Sequence, residues 1–85
     1  MVFIISYDLR KPDFDYDGLY EQLEALEAKH IQDSVWAVRS NYSAGQLWNV
    51  LWKHMHSERD RLFVVPFDKT NQFHSKNAIN KLSSV

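Results

Sequence analysis

The stretches VFIISY at residues 2–7 and LFVVPF at residues 62–67 decide the fold, because neither alternates apolar with polar side chains. A strand that is apolar on both sides is usually buried on both faces of its sheet. Asp8 and Pro12 end the first stretch, and Asp68 ends the second. The sequence therefore predicts two buried strands, one near each end of the domain.

Two helices are predicted between these strands. Three leucines recur at helical spacing after an acidic stretch and predict an amphipathic helix over about residues 16–29. Ser43 followed by Gln46 has the pattern of a capping box, which opens a second helix.

Residues 30–40 return to β character, and the polar triplet at residues 32–34 divides them into two short strands. The order is then βαββαβ, which right-handed crossovers arrange as a ferredoxin-like, two-layer α+β sandwich over residues 1–68. Residues 69–85 form a polar C-terminal tail, with the few apolar residues that one short helix needs.

The two helices of such a sandwich cover only one face of the sheet, whereas its first and last strands are apolar on both faces. A second copy across a two-fold axis is the simplest cover for the other face. A chain of 85 residues also buries too little surface to be very stable alone. The sequence therefore predicts a homodimer through the sheet face.

Composition narrows the classes of function. Ten Lys and Arg against eleven Asp and Glu give a net charge of −1, unlike a protein that binds nucleic acid by charge alone. There is no cysteine, so disulfides and thiolate zinc sites are excluded. No apolar run approaches the ~20 residues that span a bilayer. We expect a cytoplasmic protein that does not enter the membrane.

Two motifs resemble a known family. Tyr7-Asp8-Leu9, followed by Pro12 and Tyr16, and then Asp33-Ser34-Val35-Trp36 resemble the small ferredoxin-like CRISPR-associated adaptation protein, whose relatives include VapD-type toxins. The likeness covers residues 2–67 and is greatest to short stand-alone bacterial and phage members. It implies a homodimer that packs sheet against sheet. Some members are metal-dependent endonucleases of RNA or DNA, and others only bind or scaffold nucleic acid.

The resemblance implies a catalytic, metal-binding role for Asp8. In the family, the acid that ends the first strand lies near the dimer axis, where two copies share a divalent ion, Mg²⁺ or Mn²⁺. Such an ion relieves the repulsion between the carboxylates and activates water for phosphodiester hydrolysis. Tyr7 and Ser34 are candidate supporting residues. Asp8 equally fits the start of a turn toward Pro12.

Basic residues near this acid are few. The candidate phosphate contacts are Arg10, Lys11 and Arg39. Three aspartates at residues 13–17 offset their charge, whereas a nuclease usually presents a broader basic surface. The sequence departs from the family at this point.

Two functions therefore remain open. One is a homodimer that binds nucleic acid and cleaves it by divalent-metal-assisted hydrolysis at Asp8. The other is a non-catalytic protein-interaction module, such as an antitoxin or a phage regulator, on the same dimer scaffold. Trp48 and Trp52, one helical turn apart, predict a core edge or a protein interface, or else a stacking surface for bases. The near-neutral charge favours the second function.

Residues 13–18 together with Glu24 also match the calcium-loop pattern D-x-D-x-D-G-x₅-E. That pattern needs a helix on each side, and here a strand and Pro12 precede it. A cluster of carboxylates at a helix start is the better interpretation. The four histidines have no spacing that is typical of a zinc site.

Overall fold

The computed structural model describes residues 1–68 and 73–85, which form a four-stranded antiparallel sheet with two helices on one face. The strands are β1 (Val2–Asp8), β2 (Lys29–Gln32), β3 (Val35–Arg39) and β4 (Arg61–Phe67), and the helices are α1 (Asp17–Ala25) and α2 (Ala44–Trp52). The element order and the sheet order β2-β3-β1-β4 are compatible with a ferredoxin-like fold. Neither helix has the length and apolar character needed to cross a membrane.

The helix ends follow from local chemistry. Ser43 Oγ accepts a hydrogen bond from the Gln46 amide at 3.1 Å, and Gln46 Oε1 accepts one from the Ser43 amide at 2.8 Å. The predicted capping box of α2 is therefore confirmed. Helix α1 ends at Ala25, earlier than the predicted residue 29, because Glu27 adopts a left-handed backbone with φ 58° that turns the chain into β2.

The helix-covered face of the sheet holds the main core. Phe3, Ile5 and Tyr7 of β1 project to that face and pack with the buried leucines of both helices. Burial alternates along β1 because successive side chains of a strand point to opposite faces. The largest fully buried side chains in the described part of the chain are Ile5, Leu19, Leu23, Val38, Leu47 and Leu51.

The C-terminal tail covers part of the second face, the side of the sheet away from the helices. The tail contributes Ala78, Leu82 and Val85, and the sheet contributes Val2, Ile31 and Ala37. Ala37 is fully buried there. The predicted tail begins at residue 69, and residues 69–72 lie outside the described residues.

Hydrogen bonds place this tail over β2 and β3. The Ile79 amide donates to the Ile31 carbonyl at 2.8 Å, and Asn80 Nδ2 donates to the His30 carbonyl at 2.9 Å. A single 3₁₀ turn at Leu82–Ser84 follows. The sequence analysis assigns the whole second face to another copy, whereas within one chain the tail already shelters the β2–β3 half.

The tail leaves open the part of the β1–β4 half that lies toward Asp8. We call this part the open strip and define it by Ser6 and Asp8 of β1 and by Arg61, Phe63 and Val65 of β4. Phe63 is 60% exposed. No residue of β4 is fully buried in the single chain. The predicted burial of this strand on both faces depends on a second copy and stays a prediction. β4 is an edge strand, and the described part of the tail reaches only its end at Phe67, which packs against the tail cluster and Phe73.

The outer edge of β4 offers few backbone groups. Trp48 Nε1 donates to the Leu62 carbonyl at 3.3 Å, so Leu62 directs its backbone groups outward. Alternate residues of a strand point their backbone groups the same way, so Pro66 also directs its nitrogen outward. Proline has no N–H, and on an outer edge this removes no bond of the sheet.

Candidate functional site

The candidate site lies where β1 ends, opposite the start of β4. Asp8 pairs with Arg61 across the two strands. Its Oδ2 accepts hydrogen bonds from Arg10 Nη1 at 3.2 Å and from Arg61 Nη1 at 3.3 Å. Exposed fractions are 48% for the Asp8 side chain, 51% for Arg10 and 72% for Arg61. Such solvated ion pairs add little to stability, but the two guanidiniums outnumber the one carboxylate that they contact.

A cleft of about 330 Å³ opens beside this cluster. Its walls are formed by Ser6, Tyr7, Asp8, Arg61, Leu62 and Phe63. The cleft therefore combines an exposed aromatic ring with a guanidinium and a carboxylate. These are groups that can stack on a flat ligand and bind an anion.

Tyr7 and Ser34 are brought close to Asp8 by the backbone. The Tyr7 amide donates to the Ser34 carbonyl at 3.1 Å. The Tyr7 hydroxyl accepts a hydrogen bond from Trp36 Nε1 at 2.9 Å and donates to the Asp33 carbonyl at 3.4 Å. Burial raises the pKa of Tyr7 to about 12, so its hydroxyl stays protonated at neutral pH. Tyr7 therefore contributes packing and hydrogen bonds rather than charge.

The predicted phosphate contacts do not all meet at Asp8. Arg10 does, and Lys11 lies in the same loop, where its Nζ forms an ion pair with Asp13 at 3.0 Å. Arg39 pairs with Val2 at the opposite end of β1, about 20 Å away at the rise of a strand. Its Nη2 donates to the Val85 carbonyl at 3.0 Å. Arg39 is therefore not part of the Asp8 cluster.

Arg61 contacts Asp8, although the sequence analysis does not name Arg61 as a site residue. It is the first residue of β4, and antiparallel pairing sets it opposite the last residue of β1. The only sequence feature that could have indicated Arg61 is the expected pairing of the two apolar strands. The register of that pairing cannot be deduced from the sequence alone. The acid at the end of β1 and the base at the start of β4 meet through that register.

Asp60 is a second residue that the sequence analysis missed, and it is only 7% exposed. Its Oδ1 accepts hydrogen bonds from the Arg10 amide at 2.8 Å and from the Tyr16 hydroxyl at 2.7 Å. Its Oδ2 accepts one from the His56 amide at 2.7 Å. Burial alone would raise the pKa of Asp60, but these hydrogen bonds outweigh burial and hold the pKa below its usual range.

This carboxylate fixes the frame of the site. It joins the loop after β1, the residue before α1 and the loop after α2. Arg10 is held by its backbone, and Arg61 follows Asp60 directly in the chain. Both guanidiniums that meet on Asp8 are thus anchored to one buried acid.

Tyr16 makes the stability of this frame depend on pH in the alkaline range. Burial and the hydrogen bond to Asp60 raise the pKa of Tyr16 to about 12, against about 10 in an unfolded chain. The stability that Tyr16 contributes is therefore complete below pH ~10 and is lost as the pH rises toward the folded value. We expect the thermal midpoint to fall over this range, and to fall less steeply in Tyr16→Phe.

The matched control is Tyr42→Phe, since Tyr42 is exposed and 49% accessible. Circular dichroism melts of the three proteins between pH 9 and 12 measure the slopes. Identical slopes for the native chain and Tyr16→Phe would contradict the assigned role.

The two tryptophans of α2 lie apart from this site. Their rings stack on one another with centroids 5.0 Å apart and an angle of 18° between planes. Trp52 packs against the main core, and Trp48 bonds to the edge of β4. Each ring therefore has at least one side covered by its own chain.

The residues around Asp8 in one chain do not fit a divalent ion. Across residues 1–68 and 73–85, no group of three or more His, Asp or Glu side chains is placed to hold a metal. The neighbours of the Asp8 carboxylate are two guanidiniums, which compete with a cation for the same oxygen. The acidic loop does not supply the ligands either, since Glu24 lies within α1 and Asp15 Oδ1 accepts from the Asp17 amide at 2.9 Å.

No protein-family model matches the chain. Fold and site together define a small α+β protein in which two arginines and an aspartate cluster at one end of a partly uncovered sheet face. Guanidiniums match the geometry of both carboxylate and phosphate groups.

Proposed function

We propose that this protein binds nucleic acid by its phosphate groups at the Asp8 end of the sheet. One observation carries the proposal: Arg10 and Arg61 converge on a single oxygen of Asp8 while more than half of each side chain stays exposed. Each guanidinium has five N–H donors in a fixed plane, and Asp8 receives one hydrogen bond from each. The remaining donors are available to a phosphate.

The buried frame supports this proposal because it reduces the cost of ordering the arginines. A flexible side chain loses rotamer entropy when it binds, and a preorganised one loses less. Asp8 orients both guanidiniums, and Asp60 holds the backbone beside them. Lys11, in the same loop, adds a third positive charge near the cluster, partly offset by Asp13.

The second candidate is the homodimer that the family resemblance implies. Phe63 favours it, since a phenyl ring that is 60% exposed on a sheet face often marks an interface. A copy seated on the open strip would bring two Asp8 carboxylates together. Binding of Mg²⁺ or Mn²⁺ between them would require each carboxylate to release its arginines. Without the ion, the same dimer would be a protein-interaction module, such as an antitoxin or a phage regulator.

Fluorescence anisotropy with labelled 20-mers of RNA and DNA, single-stranded and duplex, tests the first candidate. Arg61→Gln is expected to weaken binding roughly fivefold, as the loss of one contact of about 1 kcal/mol implies. Arg59→Gln is the matched control, because Arg59 is exposed, lies two residues away and does not contact Asp8. Equal losses in the two variants would refute a specific role for the Asp8 cluster.

Two further measurements separate the candidates. Sedimentation equilibrium gives the mass, and incubation with Mg²⁺ or Mn²⁺ tests cleavage in the native chain beside Asp8→Asn. A dimer whose cleavage is lost in Asp8→Asn would establish the second candidate in its catalytic form. A dimer that binds no nucleic acid would favour the interaction module and would overturn our first proposal, whereas cleavage that depends on Asp8 would agree with nucleic acid bound at that end of the sheet.

A further inference from the structure

We infer that the cleft at the Asp8 end of the sheet binds one unpaired nucleotide, with the base stacked on Phe63 and the phosphate on Arg61. The inference rests on the proposed function and names the part of the nucleic acid that the site takes. Two adjacent cross-strand pairs carry it: Ser6 lies opposite Phe63, and Asp8 lies opposite Arg61.

These four side chains share one face of the sheet. Residues two apart in a strand project to the same side, and this side is the open strip. The partners in a pair have Cβ atoms about 5 Å apart, and the two pairs are about 7 Å apart along the strands. All four residues line the cleft of about 330 Å³. The cleft therefore sets a ring and a hydroxyl beside a guanidinium and a carboxylate.

The ring and the guanidinium are both accessible to a ligand. Phe63 is 60% exposed, whereas Phe67, further along the same face of β4, packs against Phe73 and the tail. The Arg61 side chain is 72% exposed and contacts Asp8 through Nη1. Its Nε and Nη2 form another edge of the guanidinium and can bind two phosphate oxygens while Nη1 stays on Asp8. Phe63 and Arg61 can therefore bind one ligand together.

The spacing of these groups suits one nucleotide. A sugar separates the base of a nucleotide from its phosphate, and this distance is comparable to the step of about 7 Å between the two residue pairs. Ligand pockets have volumes of about 300–1,000 Å³, so a cleft of about 330 Å³ holds one such unit rather than several. Ser6 places a hydroxyl beside the ring, and a hydroxyl can donate to or accept from the edge of any base. The site therefore requires no particular base.

The base that stacks on Phe63 must be unpaired. Inside a duplex, both faces of each base are covered by its stacked neighbours, so a ring on a flat sheet cannot reach them. An unpaired base has a free π face, and every base can stack on an aromatic ring in this way. A net charge of −1 gives little general attraction to the backbone of a duplex, so the affinity must come from local contacts such as this stack.

Anisotropy titrations of the full chain with two labelled ligands test the inference. One is an octamer of dT, and the other is an octamer in which abasic sites replace the bases. The two ligands carry the same phosphates, so base stacking distinguishes them. We expect the dT octamer to bind about tenfold more tightly than the abasic octamer. A duplex of equal length should also bind more weakly than the dT octamer.

Variants of Phe63 locate the stack. Phe63→Leu should reduce the affinity for the dT octamer about tenfold and leave the affinity for the abasic octamer unchanged. Phe63→Tyr keeps the ring and should bind the dT octamer to within about twofold of the native chain. Tyr42→Leu is the matched control, because it removes an exposed ring from the loop before α2 and should bind both ligands normally. Thermal melts check that each variant is folded, as the exposure of both rings leads us to expect.

The outcomes separate this inference from the proposed function. If the abasic octamer binds as tightly as the dT octamer, or if Phe63→Leu loses no affinity, the inference is wrong, while phosphate binding stands if Arg61→Gln still weakens both octamers. If neither octamer binds, the inference and the proposed function both fail. A dimer that Phe63→Leu dissociates would also overturn the inference, because a second copy would then cover the ring.

Discussion

Asp60→Ala is expected to lower the free energy of unfolding by about 3–5 kcal/mol. The substitution leaves the Arg10 amide, the His56 amide and the Tyr16 hydroxyl without their acceptor in a site that is only 7% exposed. An unpaired buried donor costs about 1–3 kcal/mol. For a domain whose total stability is about 5–15 kcal/mol, this is the largest loss we expect from one polar residue.

Urea unfolding followed by tryptophan fluorescence measures this loss. Glu58→Ala is the matched control, because Glu58 is an exposed acid two residues before Asp60. Asp60→Asn keeps one acceptor oxygen and should lose less than Asp60→Ala. A loss below about 1 kcal/mol for Asp60→Ala would show that water replaces the carboxylate, and the proposed frame of the site would be wrong.

The stability that Asp60 contributes is expected to change with acid pH in one direction. The hydrogen bonds hold the pKa of Asp60 below its usual range, so the folded chain favours the ionised form. The stability that Asp60 contributes is therefore complete above the unfolded pKa, near pH ~4, and is lost as the pH falls through the folded value. The native chain should lose stability between pH 5 and 3 more steeply than Asp60→Asn.

Ile5→Ala is expected to lower the free energy of unfolding by about 2–5 kcal/mol. Ile5 is fully buried at the centre of the sheet, between Trp36 of β3 and Val64 of β4. Truncation removes apolar contacts and leaves a cavity that the surrounding helices and strands cannot close. Chemical denaturation of the variant beside the native chain gives the value directly.

Ile4→Ala is the matched control, since it makes the same chemical change one residue away on the second face. Ile4 is only partly buried and lies beside the open strip. In a single chain it should cost less than half as much as Ile5→Ala. A cost equal to that of Ile5→Ala, rising with protein concentration, would show that a second copy covers this face and would contradict the open strip.

The fold was predictable to the extent that it depends on local patterns. The capping box at Ser43 and Gln46 and the apolar spacing of α1 mark their helices correctly, because caps and helical periodicity are properties of neighbouring residues. The cover of the second face was not predictable in this way. Val85 and Ala37 meet through a tail with little periodicity, and only the folded chain brings them together.

The site was predictable in part for the same reason. Asp8 and Arg10 are two residues apart, and the sequence analysis groups them. Arg61 and Asp60 lie some fifty residues further along the chain and reach the site by strand pairing and by the loop after α2. The sequence analysis also groups Arg39 with Asp8, but the antiparallel register of β1 and β3 places Arg39 beside Val2, at the other end of β1.

The proline in β4 has a consequence for how this protein behaves at high concentration. A sheet with an open aromatic face and a bare outer strand is a template for fibril growth, in which each added molecule extends the ladder. Pro66 interrupts that ladder, and Trp48 occupies the Leu62 carbonyl. Phe63 can therefore stay exposed while the edge of β4 resists strand-upon-strand polymerisation.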